Sequence, residues 1–266
     1  MIIDCNTHIT RDGKWFHTVH DASLNRLLNE VKNSDVDAAM VVPLPGTIAN
    51  DEQDALLVGH ESLVFSGSTF NPALFANPRE AGEAFRQEFS ERKKTLVKFH
   101  NRFGKYHPND ERFLEVMKVN DALEIPMVIG VCGLLHDRNT TNAVDTAMYF
   151  FDLAKKMHRS NLIIMHGGGT QILRIAELCR DLHHVYFDLS MTLSKYKETS
   201  VAADIRWLCQ HYDRRMFWGS DFPETSLQQA LVDFDETVGT LSEEKRLNIL
   251  GKNIQQLLNL EVKAKA

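Results

Sequence analysis

Short apolar runs alternate along the chain with longer segments whose apolar residues recur every three or four positions. The first run, Met1 to Cys5, ends in Asn6-Thr7-His8, and a polar loop carrying Trp15, Phe16, His17 and His20 follows. Leu24, Leu27, Leu28 and Val31 then mark one helical face. Asp37 to Pro43 reads as a second strand, stopped by Pro43 and Pro45, and Leu63 to Phe70 as a third, closed by Asn71-Pro72. Glu80 to Lys94 is polar and helix-forming. Leu96 to His100 makes a fourth strand on which Lys98 and His100 share a side.

The rhythm continues to the end of the chain. Phe113, Val116, Met117 and Leu123 predict a helix, Pro126 to Cys132 a fifth strand, and Val144, Ala147, Met148, Phe151 and Ala154 a helical face. Leu162 to His166 reads as the sixth strand, Ile172, Ile175, Ala176, Cys179 and Leu182 as a helix, and His184 to Leu189 as the seventh strand. Ala202, Ile205, Leu208 and Cys209 precede an eighth strand, Met216-Phe217-Trp218, which stops at Gly219-Ser220-Asp221-Phe222-Pro223. Leu227, Ala230, Leu231, Phe234 and Val238 follow, then a final helix through Leu250 and Leu257.

Eight near-continuous apolar strands alternating with helices, with no linker or low-complexity segment, predict a single-domain (β/α)8 TIM barrel over residues 1–266. A doubly wound open sheet would share the rhythm, but the glycine fingerprint of a dinucleotide binder is missing after the first strand.

Composition narrows the function. The 266 residues are 43% hydrophobic and 25% charged, with a net charge of -6, so no nucleic-acid surface and no polybasic membrane patch is expected. No apolar run approaches a membrane span, and Met1-Ile2-Ile3-Asp4 runs into the first strand with no basic leader. Four scattered cysteines, Cys5, Cys132, Cys179 and Cys209, form no Cys-x-x-Cys pair and suit a reduced, cytoplasmic protein. Twelve histidines supply a large stock of proton carriers and metal ligands.

In a barrel the carboxyl ends of the strands converge on one mouth. Those ends carry Asn6, His8, Lys98, His100, Gly130, His166, Asp188 and Asp221. Taken singly, each has a structural explanation; Asp221, for example, suits the cap of a helix starting near Glu224. Several at corresponding positions point to chemistry. Gly167-Gly168-Gly169 suits a tight turn and leaves room for a substrate beside the backbone. A buried carboxylate at Asp221 requires a cation, an imidazole or donors beside it.

These pieces resemble the amidohydrolase superfamily, in particular the branch of aminocarboxymuconate-semialdehyde decarboxylase and several lactonases. The matching stretches are Ile3-Asp4-Cys5-Asn6-Thr7-His8, Val97-Lys98-Phe99-His100, Ile164-Met165-His166-Gly167-Gly168-Gly169, Trp218-Gly219-Ser220-Asp221-Phe222-Pro223 and Ile249-Leu250-Gly251-Lys252-Asn253. The resemblance implies a divalent metal, usually zinc, held by a His-x-His pair on strand one, a strand-five His and the strand-eight Asp, with the strand-six His polarising the substrate or moving a proton. Here the first His of the pair is Asn6, a poor zinc ligand, and the strand-five position falls at Gly130. His8 and Asp221 remain, with His166 as a recruit.

Three expectations follow. The protein works without metal, or binds one through His8, Asp221, His166 and a loop residue such as His17, His20 or His136, or is an inactive ligand-binding barrel. The favoured expectation is hydrolysis of a small carbonyl substrate, a lactone or amide of a carboxylic acid. Asp221 would activate water, His166 would steady the oxyanion, and His8 would ligate a metal or take over that role. Lys98, His100, Arg102 and Lys105 are candidate anion contacts, and Trp15 and Phe16 a candidate apolar lid. Decarboxylation is the alternative chemistry, and a homodimer the expected assembly.

Overall fold

The computed structural model describes residues 1–91, 96–122, 128–132 and 145–262. Lys94, Leu123, Pro126, His136 and Val144, each part of an expectation above, lie outside them. The strands are β1 (Ile3–Thr7), β2 (Ala38–Val41), β3 (Val64–Ser66), β4 (Ser68–Thr69), β5 (Leu96–Phe99), β6 (Val128–Cys132), β7 (Asn161–Met165), β8 (Val185–Asp188) and β9 (Met216–Phe217). All pair in parallel, in the orders β1-β2-β3 and β4-β5-β6-β7-β8-β9.

The predicted third strand is thus split at Gly67: its first half pairs with β2 and its second with β5. Gly67 N–H still reaches the Val41 carbonyl at 2.8 Å, and a Cβ there would press on Val42 at 3.2 Å. At the other seam, Cys5 N–H donates to Trp218 O at 3.2 Å and His8 N–H to Phe222 O at 2.9 Å. Asp221 N–H donates back to Asn6 O at 3.1 Å, and Thr7 and Phe222 form a parallel bridge. The last strand therefore lies against the first, and the architecture is a (β/α)8 barrel.

Helices cover the outside because their sequences are apolar on one face and their ends are capped. Ser23 accepts from Arg26 N–H at the start of Leu24–Asn33, Asp145 from Ala147 and Met148 ahead of Thr146–Lys156, and Ser226 from Gln229 ahead of Leu227–Val238. That last helix begins beyond Glu224, so Asp221 is not its cap. The Thr146–Lys156 helix is rotated from the expected face: Tyr149, Phe150 and Leu153 are buried beside Ala147 and Ala154, while Met148 is exposed. The final predicted helix is interrupted by a π turn at Asn248–Lys252. Its Gly251 packs on Met1 O, where a Cβ would stand only 2.7 Å away.

Inside the barrel, Ile3, Cys5, Met40, Val42, Leu96, Ile163, Met165 and Phe217 form a compact inner core, closed below by Ile254 and Leu258. The larger core lies between strands and helices. This inner plug fills the barrel, and His8, Lys98, His166 and Asp221 line the opening at its carboxyl mouth.

Candidate active site

Register on β1 is irregular between Asp4 and Thr7. As a result, consecutive Cys5 and Asn6 both reach Asp188, Cys5 Sγ–H at 3.2 Å from Oδ1 and Asn6 Nδ2 at 3.5 Å from Oδ2, which strict alternation would forbid. Asp188 also accepts from Ser190 N–H at 2.7 Å and Ser190 Oγ at 2.6 Å, and His166 N–H lies 3.3 Å away. Burial, and then Asp188, push the Cys5 thiol well up, so Cys5 is a donor and not a nucleophile.

Above this base, Asn6 Nδ2 donates to Ser190 Oγ at 2.9 Å and to Asp221 Oδ1 at 3.1 Å. Its amide oxygen receives Lys98 Nζ at 3.0 Å, and the same ammonium is 3.3 Å from His8 Nε2. His8 Nδ1 lies 2.6 Å from Val42 O, so Nδ1 carries the proton and Nε2 is the acceptor for Lys98. Asp221 Oδ1 is 3.3 Å from His8 Nε2. Burial and then Lys98 lower the proton affinity of His8, and the ring is neutral. Burial alone would raise the Asp221 carboxyl, but His166 and then Lys98 outweigh it and hold the group well below the usual carboxylate range.

His166 directs Nδ1 at Ser190 O, 3.0 Å away, which frees Nε2 for the cleft. Its backbone φ of 60° opens the turn formed by the three glycines. The space for a Cβ on Gly168 is taken by Ile175, and on Gly167 by Ile172 at 2.6 Å. Those two glycines serve close packing of the next helix, and the expected room for substrate there is filled. Phe16, Met191 and Asp221 also have positive φ. With His166 they all line the mouth, where such backbone strain is a common mark of function.

The mouth is a cleft of about 120 Å³ lined by His8, Lys98, His100, His166, Asp221, Trp15, Phe16, Phe103, Leu44, Met191, Arg102 and Glu224. Trp15 is stacked on His8 with centroids 5.6 Å apart, Phe16 meets Trp15 edge-on at 4.6 Å, and Phe103 stacks on Phe16 at 4.8 Å. Trp15 Nε1–H is held by Glu224. Both expected lid residues therefore cover the cleft. His100 accepts from Phe103 N–H through Nδ1, and burial followed by Lys98 keeps it neutral, far below its ordinary range.

The structure gathers His8, Lys98, His100, Arg102, His166 and Asp221 in one opening, with Asn6 behind Lys98. His17 and Lys105 are exposed and line no part of it, and His20 faces Glu224 at 3.8 Å. Ser190 was readable two residues past Asp188 at the end of β8; Phe103 and Met191 carried no signal, because loop packing puts them there. Gly130 faces inward, but Met165 fills the space its Cβ would need. A divalent ion requires three or four convergent lone pairs. Asn6 Oδ1 and His8 Nε2 both face an ammonium, and Gly130 on β6 has no side chain to offer, so among the described residues this donor set does not fit such an ion.

Comparison with known proteins identifies the family and the fold. The family model described as amidohydrolase matches residues 3–260. The fold is similar to an uncharacterised TIM-barrel protein from Bordetella bronchiseptica, at 13% identity and TM-score 0.78 over 97% of this chain and 99% of that one. It is similar to a 5-carboxyvanillate decarboxylase from Sphingomonas paucimobilis, at 10% identity and TM-score 0.70 over 98% and 99%. A third similar structure is a probable 2-pyrone-4,6-dicarboxylic acid hydrolase from Acinetobacter baumannii with citric acid bound, at 13% identity and TM-score 0.63 over 97% and 99%. No curated protein matches the sequence.

Proposed function

Starting from the fact that this chain belongs to the amidohydrolase family, we propose that it is a hydrolase of a small lactone or amide bearing a carboxylate. The observation that supports this most is the meeting of Lys98 on β5, His166 just past β7 and Asp221 beyond β9 in one cleft of about 120 Å³. Asp221 is ionised and accepts a hydrogen bond from water placed against the carbonyl carbon. So weak a base does not deprotonate water at rest; the proton transfers as the carbon–oxygen bond forms and the water becomes acidic.

His166, fixed by Ser190, turns Nε2 to the cleft and, when protonated, donates to the developing oxyanion. His8 cannot share that role, since its Nε2 is an acceptor committed to Lys98. The proton held by Asp221 then passes to the departing ring oxygen or amine. Arg102 and His100 line the outer part of the cleft and suit the substrate carboxylate. The decarboxylase among the similar folds makes loss of carbon dioxide the competing chemistry.

A panel of carboxylated lactones and amides, followed by proton release and by carbon dioxide capture, tests the reading. Hydrolysis without carbon dioxide is expected, and Asp221→Asn should lower turnover by ~10³-fold with the fold intact. Carbon dioxide as product, or full activity in Asp221→Asn, would overturn the assignment.

A further inference from the structure

An ammonium group has three N–H bonds, and Lys98 has two partners among the described residues, Asn6 Oδ1 at 3.0 Å and His8 Nε2 at 3.3 Å. The side chain lines the cleft although the residue as a whole has 0% exposure. A buried cation needs its donors satisfied, so the third N–H is directed at whatever occupies the cleft. The acceptors around it are neutral and aimed at one point, and the Asp221 carboxylate lies beside both, accepting from Asn6 Nδ2 at 3.1 Å and standing 3.3 Å from the His8 Nε2 lone pair. Two lone pairs and an adjacent carboxylate make a cation site, and the cation in it belongs to the protein.

Each neighbouring position is consistent with that arrangement. Val42 O sets the His8 tautomer that turns a lone pair to Lys98. Asn6 keeps its oxygen for Lys98 because its NH2 is engaged by Ser190 Oγ at 2.9 Å and by Asp221. A neutral histidine at position 6 would have one N–H where Asn6 uses two, and could not serve Ser190, Asp221 and Lys98 together. On β6, residue 130 faces Lys98 in register and has no side chain that would compete for the ammonium.

We propose that the Lys98 ammonium is the built-in cation of this cleft, taking the place of a divalent ion, and that its third N–H bonds the carbonyl oxygen under attack. The second half rests on the hydrolase reading; the first does not. As water oxygen bonds the carbonyl carbon, the carbonyl π pair moves onto oxygen, where Lys98 receives it as a hydrogen-bonded oxyanion without giving up a proton. The water proton goes to Asp221 and then to the expelled ring oxygen. A single positive charge polarises a carbonyl less than a doubly charged ion does. The cleft therefore selects esters with good leaving groups, lactones with an enol or phenol oxygen, over unactivated amides.

The first half is tested with zinc(II) alone, by calorimetric titration and metal analysis of the chelator-treated protein. The wild-type chain should bind no zinc at the cleft. Asn6→His, which completes a His-x-His pair but keeps Lys98, should also bind none. Asn6→His/Lys98→Met should take up about one equivalent, lost again on adding Asp221→Asn. Zinc bound by the wild type or by Asn6→His and removed by Asp221→Asn would overturn the proposal, as would a folded double variant that takes up none. If the double variant fails to fold, the two titrations without it still decide.

The second half is read from turnover. Lys98→Met should lower kcat for an activated lactone by ~10²-fold or more with KM within about threefold, and Lys98→Arg should restore about a tenth of wild-type kcat. Wild-type kcat in Lys98→Met overturns it. No turnover of any lactone by the wild-type chain would remove the hydrolase reading and leave the zinc result standing.

Discussion

The carbonyl oxygen of Val42 lies 2.6 Å from Nδ1 of His8. This one contact decides which ring nitrogen holds the proton, and so turns a lone pair toward Lys98 and Asp221. A main-chain group just past β2 thereby sets the electrostatics of side chains just past β1, on β5 and in the segment after β9.

The buried neutral imidazoles have a consequence for stability. His8 and His100 are both lowered from an ordinary value of 6.5, burial being the main cause in each and Lys98 the next. Below about pH 6.5 the unfolded chain takes up protons that the folded chain refuses, so their contribution is complete above that value and is lost as pH falls. Urea unfolding should show stability decreasing from about pH 7 to pH 5. His100→Asn, which keeps an acceptor for Phe103 N–H, should flatten that slope; an unchanged slope would mean that His100 is charged when folded.

Asp4 behaves in the opposite sense. Burial raises its carboxyl from 3.8 to about 7, although hydrogen bonds from Ser220 and Asn6 oppose the rise. The folded chain holds a proton that the unfolded chain has lost, so this stability is complete at low pH and disappears as pH rises through about 7. Asn at this position keeps the oxygen that accepts from Asn6 and Ser220 N–H, both at 3.1 Å. Asp4→Asn should therefore gain on the wild type between pH 5 and pH 8, by up to about 4 kcal/mol. Parallel pH curves for the two proteins would show that Asp4 is ionised throughout.

Gly168 has a φ of 81°, and a Cβ there would collide with Cδ1 of Ile175. Gly168→Ala should cost about 2–4 kcal/mol in unfolding free energy, from overpacking and from backbone strain. Ile175→Val removes the colliding methyl. The double variant should recover part of the loss, and simple additivity of the two changes would argue against direct contact.

The lid residue Trp15 is buried on His8 and tied to Glu224. Trp15→Leu keeps an apolar cover but removes both the stack and the hydrogen bond. KM should rise by about tenfold, with kcat falling less, as steady-state kinetics on an active lactone would show. A fall in kcat alone would place Trp15 nearer the chemistry than the lid.

Much of this protein could be read from its pattern of apolar runs. Parallel strands covered on both faces need unbroken apolar segments, so Leu162 to Met165 and Val185 to Phe187 stand out locally, and side chains at strand ends have to share one mouth. Asn6, His8, Lys98, His166 and Asp221 were legible for that reason. Tertiary structure decided what these groups are to each other. The protonated nitrogen of His8 depends on Val42, the partner of Lys98 on the side chain of Asn6, and the role of Gly168 on Ile175 in the following helix. The buried face of Thr146–Lys156, centred on Phe150 in place of Met148, was set by how the helix docks. Hydrophobicity acts on each residue by itself and leaves a trace in the sequence; hydrogen-bond direction, charge pairing and close packing exist only between residues that folding has brought together.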